Sequence, residues 1–210
     1  MGSLMTISIT KIFVAVAVFA GPTAALADKT FPFLEHDAIR FAYETEAASW
    51  STAPVMIVNA FVAAEDRTFF QSSSSRSTIP LFVAGWYPEP SFPNKRVIAF
   101  AVSQALEREE ILDWYVHRVF LGQGCFGVDQ AALAYFGKST VDLELHEAAF
   151  LAGIPKAPSA FHPIKEHDRA ISRRNFVLSE MAHVGFISEQ AAHTSTAEPL
   201  IVRQPLGSCP

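Results

Sequence analysis

Apolar residues recur along this chain at the three- and four-residue spacings of helices, and no set of strand-like alternating runs is present. Val58, Phe61, Val62, Glu65 and Phe69 fall on one face of a helix beginning after Pro54, so a carboxylate shares the apolar stripe. A shorter helix is expected before it, over 38–48. No Gly or Pro interrupts 95–121, where Val97, Ala101, Ile111, Tyr115 and Val119 predict one stripe of a long helix ended by Gly122. Positions 128–136 between Gly127 and Gly137 predict a short helix. Ser139 with Asp142 reads as the capping box of another, ending at Gly153 and Pro155. A further helix is expected over 168–184, stopped by Gly185, and a last one capped by Ser188. Between these lie a serine-rich polar stretch over 71–77 and a predicted loop over 80–93 with Pro80, Pro88, Pro90 and Pro93. The tail after Glu198 reads as irregular. The fold class these patterns predict is mainly α.

The first 27 residues form a separate pattern. Lys11 precedes an apolar run over 12–20, Gly21-Pro22 breaks it, and Ala25-Leu26-Ala27 offers small residues before Asp28. That order predicts a cleaved secretory signal peptide and a periplasmic product, with peripheral membrane attachment compatible with it. An uncleaved anchor is the alternative, although the run is short of the roughly 20 residues a span needs. The organisation expected is leader 1–27, lead-in segment 28–54, a main domain over 55–192 and an irregular tail over 193–210.

Composition is that of a globular chain: 210 residues, half apolar and 18% charged. The formal charge is −5, and losing Lys11 with the leader makes it −6, which argues against nucleic acid as the partner. Cys125 and Cys209 have no metal-site spacing; export permits a disulfide between them, and two free thiols are the alternative.

The chemistry begins at Ala63-Ala64-Glu65-Asp66-Arg67-Thr68-Phe69-Phe70. A carboxylate on an apolar face must be paired or protonated, and burial raises its pKa into the range useful for general acid/base work. A structural ion pair from Glu65 or Asp66 to an arginine is the other reading. This stretch resembles the first motif of the peptidoglycan glycosyltransferases, family 51, the transglycosylase domain of penicillin-binding proteins. Ser77-Thr78-Ile79 resembles the core of the second motif and Lys95-Arg96 the basic pair opening the third. Ile111-Leu112-Asp113-Trp114-Tyr115 with Phe120-Leu121-Gly122 is similar to the fourth. The run Gly127-Val128, Ala131-Ala132, Tyr135-Phe136-Gly137-Lys138, Glu147-Ala148-Ala149 and Leu151-Ala152-Gly153-Ile154-Pro155 matches most closely. Arg173-Arg174-Asn175 and Gly185-Phe186-Ile187 resemble the fifth.

The resemblance implies a lysozyme-like two-lobed α fold acting on lipid II to extend glycan strands. It implies Glu65 as the base on the acceptor 4-hydroxyl. Lys138 would face the pyrophosphate, and Asp66, Ser77, Thr78, Lys95, Arg96, Arg173 and Arg174 would be substrate-binding positions. For Lys138 a solvated surface lysine is the alternative, and Arg173 and Arg174 also read as braces of the fold. No metal ligands are assigned; the resemblance admits a divalent cation and names no other cofactor. Partners implied are lipid II or a glycan strand, the membrane surface, and a separate transpeptidase. Departures cluster at the site. Ser72 and Ser74 stand near places where the family has a His and a Gly. The stretch between the first two motifs is short, which implies a reduced jaw lobe. Pro80-Leu81-Phe82 replaces Thr-Gln-Gln, and Ala99 occupies the place of a second catalytic glutamate. These departures leave three readings: a glycosyltransferase with a degraded site, a non-catalytic glycan or lipid II binding protein, and a lytic glycan-cleaving enzyme.

Overall fold

The computed structural model describes residues 35–71, 77–86 and 94–209. The expected leader, Ser72 and Ser74, and Pro88, Pro90 and Pro93 lie outside the described residues. Those described form α1 (His36–Ala47), α2 (Val55–Glu65), α3 (Thr78–Ala84), α4 (Lys95–Ala105), α5 (Arg108–Arg118), α6 (Val128–Phe136), α7 (Leu145–Gly153), α8 (His167–His183) and α9 (Glu189–Ala197). Among the described residues the only β pairing is an isolated bridge between Phe120 and Phe126. The mainly α class expected from periodicity is what the chain adopts.

α7 is the central helix. Every residue from His146 to Gly153 is buried, as expected of a helix apolar all round. Ala148, Ala149 and Ala152 let α2 and α8 pack directly on it. Phe61, Phe69 and Phe150 are fully buried in the same core, each such side chain contributing about 1.5–3 kcal/mol of transfer free energy.

Three sequence expectations need correction. The predicted long helix over 95–121 is two helices, broken at Leu106 and Glu107. Glu107 caps the N3 backbone of α5, and Glu110 reaches back to the Glu107 N–H, a reciprocal cap that starts a new helix without Gly or Pro. The break also changes the helix phase: Ile98, Ala99, Val102 and Ala105 face inward, while Val97 is 50% exposed. Second, the predicted loop from Pro80 overlaps α3. Pro80 sits in the first turn, where its missing N–H has no intrahelical partner to lose. Third, Ser139 and Asp142 bond each other across a 3-10 turn, and the capping box of α7 is Glu144 with Glu147.

His117 joins three parts of the scaffold. Its Nδ1 lies 2.9 Å from the Asp113 carbonyl oxygen and its Nε2 3.0 Å from that of Ser51. Carbonyls only accept, so both contacts are hydrogen bonds only when both ring nitrogens carry protons. Burial disfavours that charge, but Asp113, through hydrogen bonds and its charge, and then Asp129 outweigh it and raise the pKa above the ordinary value. The ring also stacks on Trp50, centroids 4.7 Å apart. Behind it Gly127 has φ 81°, and a Cβ there would lie 2.2 Å from the His117 carbonyl oxygen, so only glycine fits.

Cys125 and Cys209 form a disulfide spanning 84 residues. The tail it anchors lies along α6: the N–H groups of Arg203 and Gly207 donate to Tyr135 and Ala134, each at 2.8 Å. No helix among the described residues is long and apolar enough to cross a membrane.

Candidate active site

Glu65 ends α2, and Asp66 follows it out of the helical conformation. The two carboxylates have opposite environments. Asp66 is fully engaged: Oδ2 accepts from the Ser77 hydroxyl at 2.5 Å and the Thr78 N–H at 3.1 Å. Its Oδ1 accepts from the Thr68 N–H and hydroxyl at 3.2 and 3.1 Å. The Thr78 hydroxyl donates to the Glu65 carbonyl at 2.9 Å. The first two motif-like stretches are therefore clamped together, and a carboxylate beside the N-terminus of α3 suits its dipole. Asp66, Ser77 and Thr78 hold Glu65's backbone in place.

The Glu65 side chain has no such engagement. Its Oε1 is buried and has no hydrogen-bond partner. Burial raises its pKa above the ordinary carboxylate range, and the charges of Arg173 and Lys156 pull partly against that rise. Glu65 lines a pocket of about 310 Å³ with Ala64, Arg67, Lys156, Arg173 and Phe176 among its walls. Arg67 is bound to Glu180 at 2.7 Å. Among the described residues Arg173 has no carboxylate within ion-pair distance, although the charges of Glu65 and Glu180 act on it: its Nε donates to the Gly153 carbonyl at 3.2 Å, and its guanidinium lies 5.0 Å from the Phe176 ring centroid. A Cβ on Gly153 would meet Arg173 Cγ at 2.9 Å, so this glycine lets the arginine pass along the end of α7 into the pocket. Lys156 comes from the 3-10 turn directly after α7. A half-buried acid thus shares a pocket with Lys156 and Arg173, and Glu180, bound to Arg67, is also among the pocket's residues. That arrangement can take a proton from a hydroxyl and stabilise an anion beside it.

Of the other residues expected at the site, Arg174 bonds the carbonyls of Glu198 and Thr196 and braces the end of α9. Lys138 is not among the pocket's walls; its ammonium contacts both oxygens of the buried Glu147 at 2.9 Å. Lys95 and Arg96 open α4 and are exposed. A Cβ on Gly85 would lie 3.4 Å from Lys95 Nζ, which places that cation at the C-terminal end of α3. Ala99 is buried within α4. Lys156 was not singled out from the sequence; its signal was a lone base directly after the Gly153-Ile154-Pro155 run. Among the described residues no group of three or more His, Cys, Asp or Glu side chains is arranged to hold a metal ion. The cations around Glu65, Arg67, Lys156 and Arg173, do not fit a divalent cation there.

Residues 94–182 match the transglycosylase family model, and through this segment the chain is similar to that family, with the lysozyme-like fold. It is similar to penicillin-binding protein 1A of Escherichia coli, at 34% identity over 174 residues, 70% of this chain and 20% of that protein. It is also similar to penicillin-binding protein 1A of Aquifex aeolicus, at 30% identity over 178 residues, 72% of this chain and 24% of that protein. The crystal structure of penicillin-binding protein 1A from Haemophilus influenzae matches with a TM-score of 0.51 and 31% identity, covering 72% of this chain and 17% of that one. The chain thus spans about a fifth of the length of the curated relatives it matches.

Proposed function

We propose that this chain is a peptidoglycan glycosyltransferase acting on lipid II, with a weakened active site, exported to the periplasm and working beside a separate transpeptidase. The observation that carries the reading is the Glu65 carboxyl, its buried Oε1 without a hydrogen-bond partner, in a pocket with Lys156 and Arg173. Ionised Glu65 takes the proton from the acceptor sugar's 4-hydroxyl. The freed oxygen forms a bond to the donor's anomeric carbon, and the bond to the lipid pyrophosphate breaks with its electron pair leaving on oxygen. Lys156 and Arg173 neutralise that charge, a role for which Lys138, bound to Glu147, is less well placed. Membrane-surface contact supplies the lipid substrate.

Ala99 stands where the family resemblance puts a second carboxylate, and its methyl group transfers no proton. Absence of a general acid/base group lowers a rate by about 10²–10⁴-fold, so chain extension is slow. The same observation favours the second reading, a protein that binds lipid II or glycan without catalysis. Incubation with labelled lipid II and, separately, with finished peptidoglycan, followed by product sizing, tests this. Longer glycan chains support polymerisation. Bound but unchanged lipid II supports the binding protein. Shortened peptidoglycan overturns both in favour of cleavage.

A further inference from the structure

A second cavity, of about 570 Å³, opens between α1, the segment 48–54, the start of α2 and the first turns of α5. It shares no residue with the Glu65 pocket, and nothing in the proposed reaction uses it. Its volume lies within the range of ligand sites. Tyr43, Trp50 and Phe70 supply aromatic walls, and Val55 and Val58 an aliphatic one. Glu109, Glu110 and Asp113 bring carboxylates to the same cavity.

The three carboxylates are not equivalent. Glu110 holds Arg40 through both oxygens, at 3.0 and 3.2 Å. Asp113 accepts from the Tyr43 hydroxyl at 3.2 Å and lies 3.2 Å from His117 Nδ1. Glu109 is exposed, and among the described residues it has no cation within ion-pair distance. The cavity therefore keeps one negative charge unanswered. Its rings are already fixed: His117 stacks on Trp50 with planes 4° apart, and Tyr43 stands edge-on to Trp50 at 6.2 Å. Walls set before a ligand arrives lower the cost of binding it. Aromatic faces beside a free carboxylate attract a cation, through the ring quadrupoles and through charge.

The rim shows what carries that cation. Val55 is 74% exposed and Phe70 44%, and both border the cavity. Apolar surface thus continues outward past the hollow. A free amine would leave this rim in water, whereas an apolar residue next to the cation covers it.

We propose that this cavity docks a partner polypeptide, which inserts one lysine side chain among Tyr43, Trp50 and Phe70 toward Glu109 and lays an adjoining apolar side chain over Val55. The methylene stem of a lysine suits the apolar walls, and its ammonium suits the single free carboxylate. The site is separate from the Glu65 chemistry, and neither depends on the other.

The experiment is an NMR titration of the full chain with the blocked tripeptide Leu-Lys-Leu. It is followed at the Trp50 indole N–H, assigned with Trp50→Phe, and at the Val55 and Val58 methyls. These signals should shift together and saturate. Norleucine in place of the lysine should weaken binding by about tenfold, since it loses both the ring and the carboxylate contacts. Glu109→Gln should weaken the lysine peptide by up to about fivefold, the range of an exposed ion pair. Unmoved Trp86 and Trp114 indole signals in that variant report an intact fold. Norleucine and lysine peptides of equal affinity, or a Glu109→Gln chain that binds as tightly as wild type, overturn the proposal. So does a titration that leaves Trp50 and Val58 unmoved. Butylammonium that binds as tightly as the tripeptide replaces the polypeptide with a small amine. An N-acetylglucosamine oligosaccharide that saturates these signals when the tripeptide does not replaces it with a glycan.

Discussion

The pocket at the end of α2 and the scaffold around α5, α6 and α7 treat buried charge in opposite ways. In the scaffold, His117 has an acceptor for each ring nitrogen, Glu147 holds Lys138 through both its oxygens, and Arg174 ends on two carbonyls. In the pocket, Glu65 Oε1 has no hydrogen-bond partner, and among the described residues neither Lys156 nor Arg173 has a carboxylate within ion-pair distance. Partnered buried groups fix geometry and their removal is felt in stability. Unpartnered ones lower stability and are free to act on something else. The comparison separates residues that resemble catalytic groups by sequence position from those whose surroundings leave them able to react.

The largest expected effect is on the pocket side. Glu65→Gln keeps size and hydrogen bonding but accepts no proton, and should lower any measured extension rate by about 10²–10⁴-fold. Because the base must be ionised and burial raises its pKa, the wild-type rate should climb with pH through a midpoint above the ordinary glutamate value, while the variant stays flat. A variant as fast as wild type removes Glu65 from the chemistry. Next comes the tail staple. Replacing Cys125 and Cys209 by Ser opens a loop of 84 residues' separation, and should destabilise the fold by about 4–5 kcal/mol in the chain-entropy model, read by urea titration. Affinity for lipid II in native buffer should hold, since neither cysteine lines the pocket.

A smaller effect is expected at His117. His117→Ala removes two hydrogen bonds from a buried imidazolium and should destabilise by about 2–3 kcal/mol. Its folded pKa is raised, so this stabilisation is complete below the unfolded histidine pKa and disappears as pH climbs through the folded one. Wild type and variant should therefore converge in urea midpoint at alkaline pH. Divergence with rising pH would mean the ring is held neutral. Smallest is Gly153→Ala, whose methyl would meet Arg173 Cγ at 2.9 Å. It should weaken lipid II binding by about tenfold through displacement of the guanidinium, within the roughly 1–3 kcal/mol that overpacking costs. A drop in stability with affinity intact would place Arg173 with the scaffold.

Sequence periodicity located most helices, because Gly127, Gly137, Gly185 and Ser188 mark their ends by local chemistry. It missed the break before α5, where the stop is a glutamate pair that reads as ordinary helical surface until the caps are seen. It missed α3, with Pro80 in its first turn, because proline signals a loop unless the first turn is known. For the site, motif resemblance pointed to Glu65 and Arg173, which the fold brings into one pocket. It named Lys138 and passed over Lys156 because partnership is a property of three-dimensional neighbours: Glu147 lies nine residues from Lys138, and nothing in their spacing sets that pair apart. Asp66 and Glu65 are adjacent in sequence, and only the fold shows that one is saturated with hydrogen bonds and the other is not.

The division between pocket and scaffold is tested most directly by the affinity for fluorescent lipid II in detergent micelles, compared between Lys156→Met and Lys138→Met. Each substitution removes one cation and keeps an apolar stem. The account predicts a dissociation constant raised by tenfold or more for Lys156→Met, the loss of one charge-assisted contact, and a change within about twofold for Lys138→Met. Weakened binding in Lys138→Met with Lys156→Met unchanged would contradict it.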